Sequence, residues 1–196
     1  IGTGNWSNAT GCALGLASDY YLYSKDDEFL EEYLPKILKA SRWIIGEIRA
    51  TRKLNPDGTR PLYYGLMPFG KGADGALGVI VPNTDGYTFW GLEKSVQLLE
   101  YIKQDNATDL RNELELYRND LNKAVEGMSR SDGYISSVIY SVDHKISYSR
   151  KMENERGPQR LAYTGAIDIE SDVFQRFITY FENNRAANYF MGNMDR

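Results

Sequence analysis

The sequence has one cysteine, Cys12, and one histidine, His144, in 196 residues. A single cysteine excludes an internal disulfide framework and any zinc site built from clustered thiolates. Cys12 lies in an apolar stretch and reads as a small buried hydrophobe. A single histidine excludes sites that need two imidazoles. A Ser-His-Asp triad remains formally open, but no nucleophile-elbow motif supports it. No apolar run approaches the roughly 18 residues that span a bilayer, so a membrane partner is not expected. The formal net charge is −4, which lacks the polycation footprint of a nucleic-acid binder. No residue pattern calls for a cofactor or a metal.

What is present is typical of a soluble globular chain: 42% hydrophobic and 26% charged residues. The length suits one ordinary domain spanning 1–196. The excess lies in aromatics, with 15 Tyr and 3 Trp. Tyr and Trp offer an apolar face with a polar edge, which suits sugar rings and also fills helical cores. The sequence starts at Ile1, and the expectation is that processing or truncation removed the true start. Three sequons, at Asn5, Asn8 and Asn106, are about what an Asn-rich chain carries by chance. Localisation stays open, with a secreted or periplasmic setting slightly favoured.

Hydrophobic spacing predicts helices. The first covers about 8–23, with apolar residues on nearly every side, and is expected to be buried all round. A short turn with an acidic N-cap, Ser24-Lys25-Asp26-Asp27, leads into a second helix at about 27–50. Its stripe is Leu30, Leu34, Ile37, Ser41, Ile44 and Ile48, and Pro35 is expected to open a new turn or kink it. Trp43 reads as core. A third helix is expected at 84–104 and a fourth at 107–128, capped by Asn106 with Asp109 three residues on. A fifth begins near Glu170. The alternating run from Tyr134 to Tyr148 reads as a small β-hairpin.

The same motif occurs twice. Gly15-Leu16 answers to Gly91-Leu92, and Leu30 to Leu110. Units that cannot bury their own faces stack on neighbours. The turns inside the two hairpins are short, whereas the connections 51–83 and 129–169 are long. Antiparallel helices place both long connections at one end, where function usually sits. Five glycines and prolines between Gly65 and Gly75 forbid a helix there. The expected fold is therefore all-α, made of antiparallel α/α hairpins with a small β-hairpin in a long loop.

Three segments resemble the (α/α)6 glycosidases. They are Asp27-Glu28-Phe29-Leu30 through Pro35 with Leu38, Ala40, Trp43 and Ile44; Tyr64-Gly65-Leu66-Met67-Pro68 with Gly72-Ala73-Asp74-Gly75; and Tyr87-Thr88-Phe89-Trp90-Gly91-Leu92. The pattern covers residues 8 to 130 and is similar to α-L-rhamnosidase-like and related six-hairpin proteins. The resemblance implies a toroid of six hairpins with substrate in a funnel at the long-loop end. About two and a half hairpins are present here, so the chain is expected to be a segment of a larger catalytic barrel. The remaining hairpins and an oligosaccharide or polysaccharide would be its partners.

Glycoside hydrolysis needs two carboxyl groups flanking the bond. The loop carboxylates are Asp74, Asp85, Asp132, Asp143, Glu153, Glu155 and Asp168. Asp74, between glycines, is the catalytic candidate, with a sugar-hydroxyl acceptor or a turn residue as its other readings. Asp85 and Asp132 are substrate-binding candidates. Asp85 also suits first-turn helix electrostatics, and Asp132-Gly133 a plain turn. Glu153 and Glu155 lie in a charge cluster. Tyr64, Tyr87 and Trp90 are the stacking candidates, Trp90 doubling as core, and Lys71 would bind hydroxyls or an acidic sugar or stand as a plain exposed loop lysine. The sharp expectation is that Asp74, Tyr64 and Trp90 converge on one concave face. Two other functions remain open: a polysaccharide lyase, with Tyr163 and Arg160 as its residues, and a non-catalytic glycan-binding or helical-repeat scaffold.

Overall fold

The computed structural model describes residues 8–68, 70–71, 77–80, 82–135, 140–141 and 159–183. Among these the chain is mostly helical. The helices are α1 (Ala9–Ser24), α2 (Asp27–Thr51), α3 (Pro82–Tyr101), α4 (Ala107–Met128), α5 (Gln159–Tyr163) and α6 (Asp172–Asn183). Three short strands, β1 (Gly70–Lys71), β2 (Leu77–Ile80) and β3 (Tyr140–Ser141), form one antiparallel sheet in that order.

Local chemistry sets the helix ends. Asp26 caps α2, its Oδ1 accepting from the Phe29 amide at 3.0 Å. Asn106, expected to cap α4, makes no side-chain cap bond. Pro35 lies inside α2, which continues through it as a single assigned helix. Pro82 opens α3, where its missing amide hydrogen leaves no bond unmade. Lys25 and Lys103 hold left-handed conformations just after α1 and α3, with φ of 56° and 55°. The two hairpins thus turn by the same device 78 positions apart.

Side-chain pairs give the helix directions. Between α1 and α3, Gly11 meets Thr88, Asp19 pairs with Lys94 and Tyr21 lies edge-on to Tyr101. Numbers rise together, so the two helices run parallel. Between α2 and α4, Arg49 pairs with Glu113 and Arg52 reaches Asp120, again parallel. Between α3 and α4, Asp85 meets Tyr117, Glu93 meets Arg118 and Glu100 meets Arg111, an antiparallel order. Two antiparallel hairpins therefore stack side by side in the same orientation, as the repeat requires.

The α1–α3 seam is built for close approach. A methyl group placed on Gly11 would lie 2.6 Å from Thr88 Cα, and one on Gly91 would run into the Gly11 carbonyl. Missing side chains let the backbones touch. Leu14, Phe89, Leu92, Val96, Leu99, Leu114, Tyr117 and Leu121 fill the core between the helices.

Two sequence expectations fail here. The first helix is not buried all round: Leu16, Tyr20 and Tyr23 are exposed, Tyr23 by 83%. Trp43 is exposed on α2 and does not belong to the core. Apolar character on every side fits a buried helix only if every side has a neighbour, and α1 has described neighbours on the α2 and α3 sides. The expected local β-hairpin is described only in part. β3 pairs with β2, Val79 opposite Ser141 and Ile80 opposite Tyr140. The rest of the run from Tyr134 to Tyr148 lies mostly outside the described residues.

Candidate functional site

The β2–β3 pairing joins the two long connections, since β2 precedes α3 and β3 follows α4. At the opposite end the short turns meet: Lys25 Nζ lies 3.7 Å over the Tyr101 ring. The long connections therefore share one rim, and the short turns share the other.

The first connection is pinned to this rim at three points. Thr51 Oγ1 donates to the Leu66 carbonyl at 2.7 Å. The Met67 amide donates to Asp85 Oδ1 at 2.8 Å. Arg60 Nη2 donates to Asp120 Oδ1 at 2.8 Å. Gly65 lies directly against the Asp120 carboxylate with φ +73°, a position closed to a side chain on both counts. Leu66 and Met67 are buried as a result.

Two carboxylates anchor this arrangement, and their surroundings differ. Asp120 sits between two guanidinium groups, Arg52 Nε at 2.9 Å and Arg60 at 2.8 Å. Arg52 also bonds Glu113, which Arg49 holds from its other side. These arginines hold the Glu113 carboxyl below its ordinary range, against a partial burial that opposes them. Among the described residues Asp85 has no such partner. It is fully buried, and its Oδ1 accepts from Met67 and from the Tyr117 hydroxyl at 2.6 Å. Its Oδ2 is buried with no hydrogen-bond partner, as is Thr88 Oγ1 one turn on. Burial pushes the Asp85 carboxyl up to about 7, and the two hydrogen bonds only partly oppose this. Burial followed by the Asp85 charge raises the Tyr117 phenol well above its ordinary value, so it stays a donor.

The other expected residues have separate surroundings. Tyr64 is half-buried, with the Arg60 guanidinium 4.1 Å from its ring centre. Tyr87 is half-buried, and Arg160 Nη1 lies 3.4 Å from its hydroxyl. The Trp90 ring is half-buried and packs onto Gly15. Asp132 forms the turn after α4, accepting from the Tyr134 amide and from Arg130. It also lines a shallow hollow of about 350 Å³ with Ser131, Asp172, Gln175, Arg176 and Thr179. Asp168 accepts from the Glu170 amide before α6. Tyr163 is 80% exposed. Asp74, Asp143, Glu153 and Glu155 lie outside the described residues, as does the Lys71 side chain, so the convergence of Asp74 with Tyr64 and Trp90 falls outside them too. No described contact joins Tyr64 to Trp90.

Sequence reasoning missed Tyr117, Asp120, Arg52 and Arg60. Tyr117 stood in the α4 apolar stripe and read as core. Asp120 follows it by three residues, so both sit on one helix face. A carboxylate beside a tyrosine on an otherwise apolar stripe is the signal that would have found this cluster.

Among the described residues no helix is long and apolar enough to cross a membrane. No group of three acidic, histidine or cysteine side chains there is arranged to hold a metal ion. Compared with family models, curated proteins and solved structures, the chain matches none of them.

Proposed function

We propose that the chain is a segment of a six-hairpin glycoside hydrolase barrel, acting on an oligosaccharide or polysaccharide at the rim of the long connections. The observation that carries this reading is the meeting of those connections at one end of two co-oriented hairpins. A rigid helical scaffold presenting long loops together is where binding and catalysis concentrate. Tyr64 and Tyr87 supply aromatic surface at that rim, and Asp74 is the proposed acid or base within the first connection. The full toroid and the remaining hairpins are part of this proposal.

One contact favours a second reading. Arg160 beside the Tyr87 hydroxyl is a pairing suited to a lyase, in which a cation neutralises a sugar carboxylate and a tyrosine moves a proton. The test is reducing-sugar release from a broad glycan panel by the parent-length protein, with Asp74→Asn beside it. A loss of about a hundredfold in the variant, as expected for general acid–base work, supports the hydrolase. Unsaturated, ultraviolet-absorbing products that vanish in Tyr87→Phe support the lyase. A folded protein with no activity on any glycan favours a binding or scaffold role.

A further inference from the structure

Asp85 is buried at the start of α3 and ties three parts of the chain together. Its Oδ1 holds the Met67 amide of the first connection and the Tyr117 hydroxyl of α4. Among the described residues its Oδ2 meets no donor. Among the described residues, the charged and titratable groups around it do not offset its charge. From α4 come Tyr117, a neutral donor, and Asp120, already held by Arg52 and Arg60. The segment 61–68 brings Tyr63 and Tyr64. On α3 the next ionisable residue in sequence is Tyr87, which meets Arg160 of α5. The first turn of α1, packed at Thr88, carries no acidic side chain. A carboxylate that is buried, held by two neutral donors and paired with no cation is more stable protonated than ionised.

We propose that the Asp85 carboxyl is a proton-controlled latch, holding segment 61–68 against α3 and α4 more firmly as the solution is acidified. In the closed form the acid is neutral and Oδ1 accepts both hydrogen bonds. Ionisation places an unpaired charge in the core, and local opening of the segment hydrates it. The latch acts on the segment that leads into the rim loop, whatever the rim binds, and stands independently of the hydrolase reading. The raised carboxyl sets its working range. The closed form titrates near 7 and an opened, hydrated form near the ordinary 3.8. The opening equilibrium therefore rises about tenfold per pH unit between those values and levels off above neutral pH.

The experiment is amide hydrogen exchange at Met67 across pH 4 to 8, corrected for the intrinsic exchange rate. Protection in the full chain is expected to fall through this range and then flatten, whereas Asp85→Asn shows no such dependence. A flat profile in the unaltered chain overturns the latch, as does an equal slope in Asp85→Asn. Should Asp85→Asn not fold, carboxyl carbon NMR of the unaltered chain decides. An Asp85 midpoint near neutral supports the latch, and one near 4 overturns it. Tyr117→Phe removes a donor that favours the ionised form, so its midpoint must lie at or above that of the unaltered chain; a lower one overturns the latch.

Discussion

Asp85 and Asp120 are both buried, and both lie close to Tyr117. Tyr117 bonds Asp85 directly, and Asp120 is three residues further along α4. Asp120 is gripped by two guanidinium groups, and Asp85 by a backbone amide and a phenol. The comparison separates two ways of burying a carboxyl group. A cation on each side keeps the charge and fixes the geometry. Neutral donors alone leave a burial penalty that a proton removes. Both carboxyls fasten the same segment, one through Arg60 and Gly65 and the other through Met67, so the segment has one permanent tie and one that depends on pH.

The largest expected effect tests the unpaired carboxyl. Its folded value, about 7, lies above the ordinary 3.8. The folded state thus binds the proton more tightly, and the stability from this group is full below about pH 4 and lost as pH rises toward 7. The loss is on the order of 4 kcal/mol, at 1.36 kcal/mol per unit. Asp85→Asn is expected to remove that slope, seen as the difference between the two urea-denaturation curves at pH 4.5 and 8. Parallel pH dependences would mean that Asp85 is ionised in the fold.

The paired carboxyl should respond by a different route. Asp120→Ala leaves Arg52 and Arg60 facing each other without their shared anion, and is expected to cost about 2 kcal/mol at neutral pH. It is also expected to expose the 60–66 segment to proteolysis. Tyr117→Phe removes one hydrogen bond to Asp85 at a site that keeps its ring packing against Phe89. A loss of about 1 kcal/mol is expected, larger at pH 8 than at pH 5, because the hydrogen bond favours the ionised acid. The smallest effect is at the exposed edge of the ionic network. Arg49 is largely solvated, and Arg49→Ala should cost under about 1 kcal/mol and less still in high salt. An Arg49→Ala loss equal to that of Asp120→Ala would erase the distinction between the core and the edge of this network.

Much of the fold was legible in the spacing of apolar residues. The α4 bounds followed from apolar spacing, and the cap at Asp26 from side-chain chemistry that acts within a few residues. The sharing of one rim by the long connections followed from loop lengths alone. Asp85 was legible as the first acidic residue of α3, but its burial was not, because that depends on Met67 and Tyr117 arriving from 18 residues before and 32 after. Trp43 misled for a similar reason: an aromatic within a helix says nothing of whether a neighbour covers it.

The sequence by itself determined the helical hairpins, their short turns and the long connections between them, since these rest on local spacing, capping and the refusal of glycine and proline to continue a helix. Only the tertiary structure decided that α1 and α3 touch backbone to backbone, that β2 takes β3 as its partner, and that one buried carboxyl is paired while its neighbour is not. Those outcomes depend on which groups from distant parts of the chain share a volume too small for water. Burial turns modest hydrogen bonds and charges into decisive ones, and burial is a property of the assembled fold.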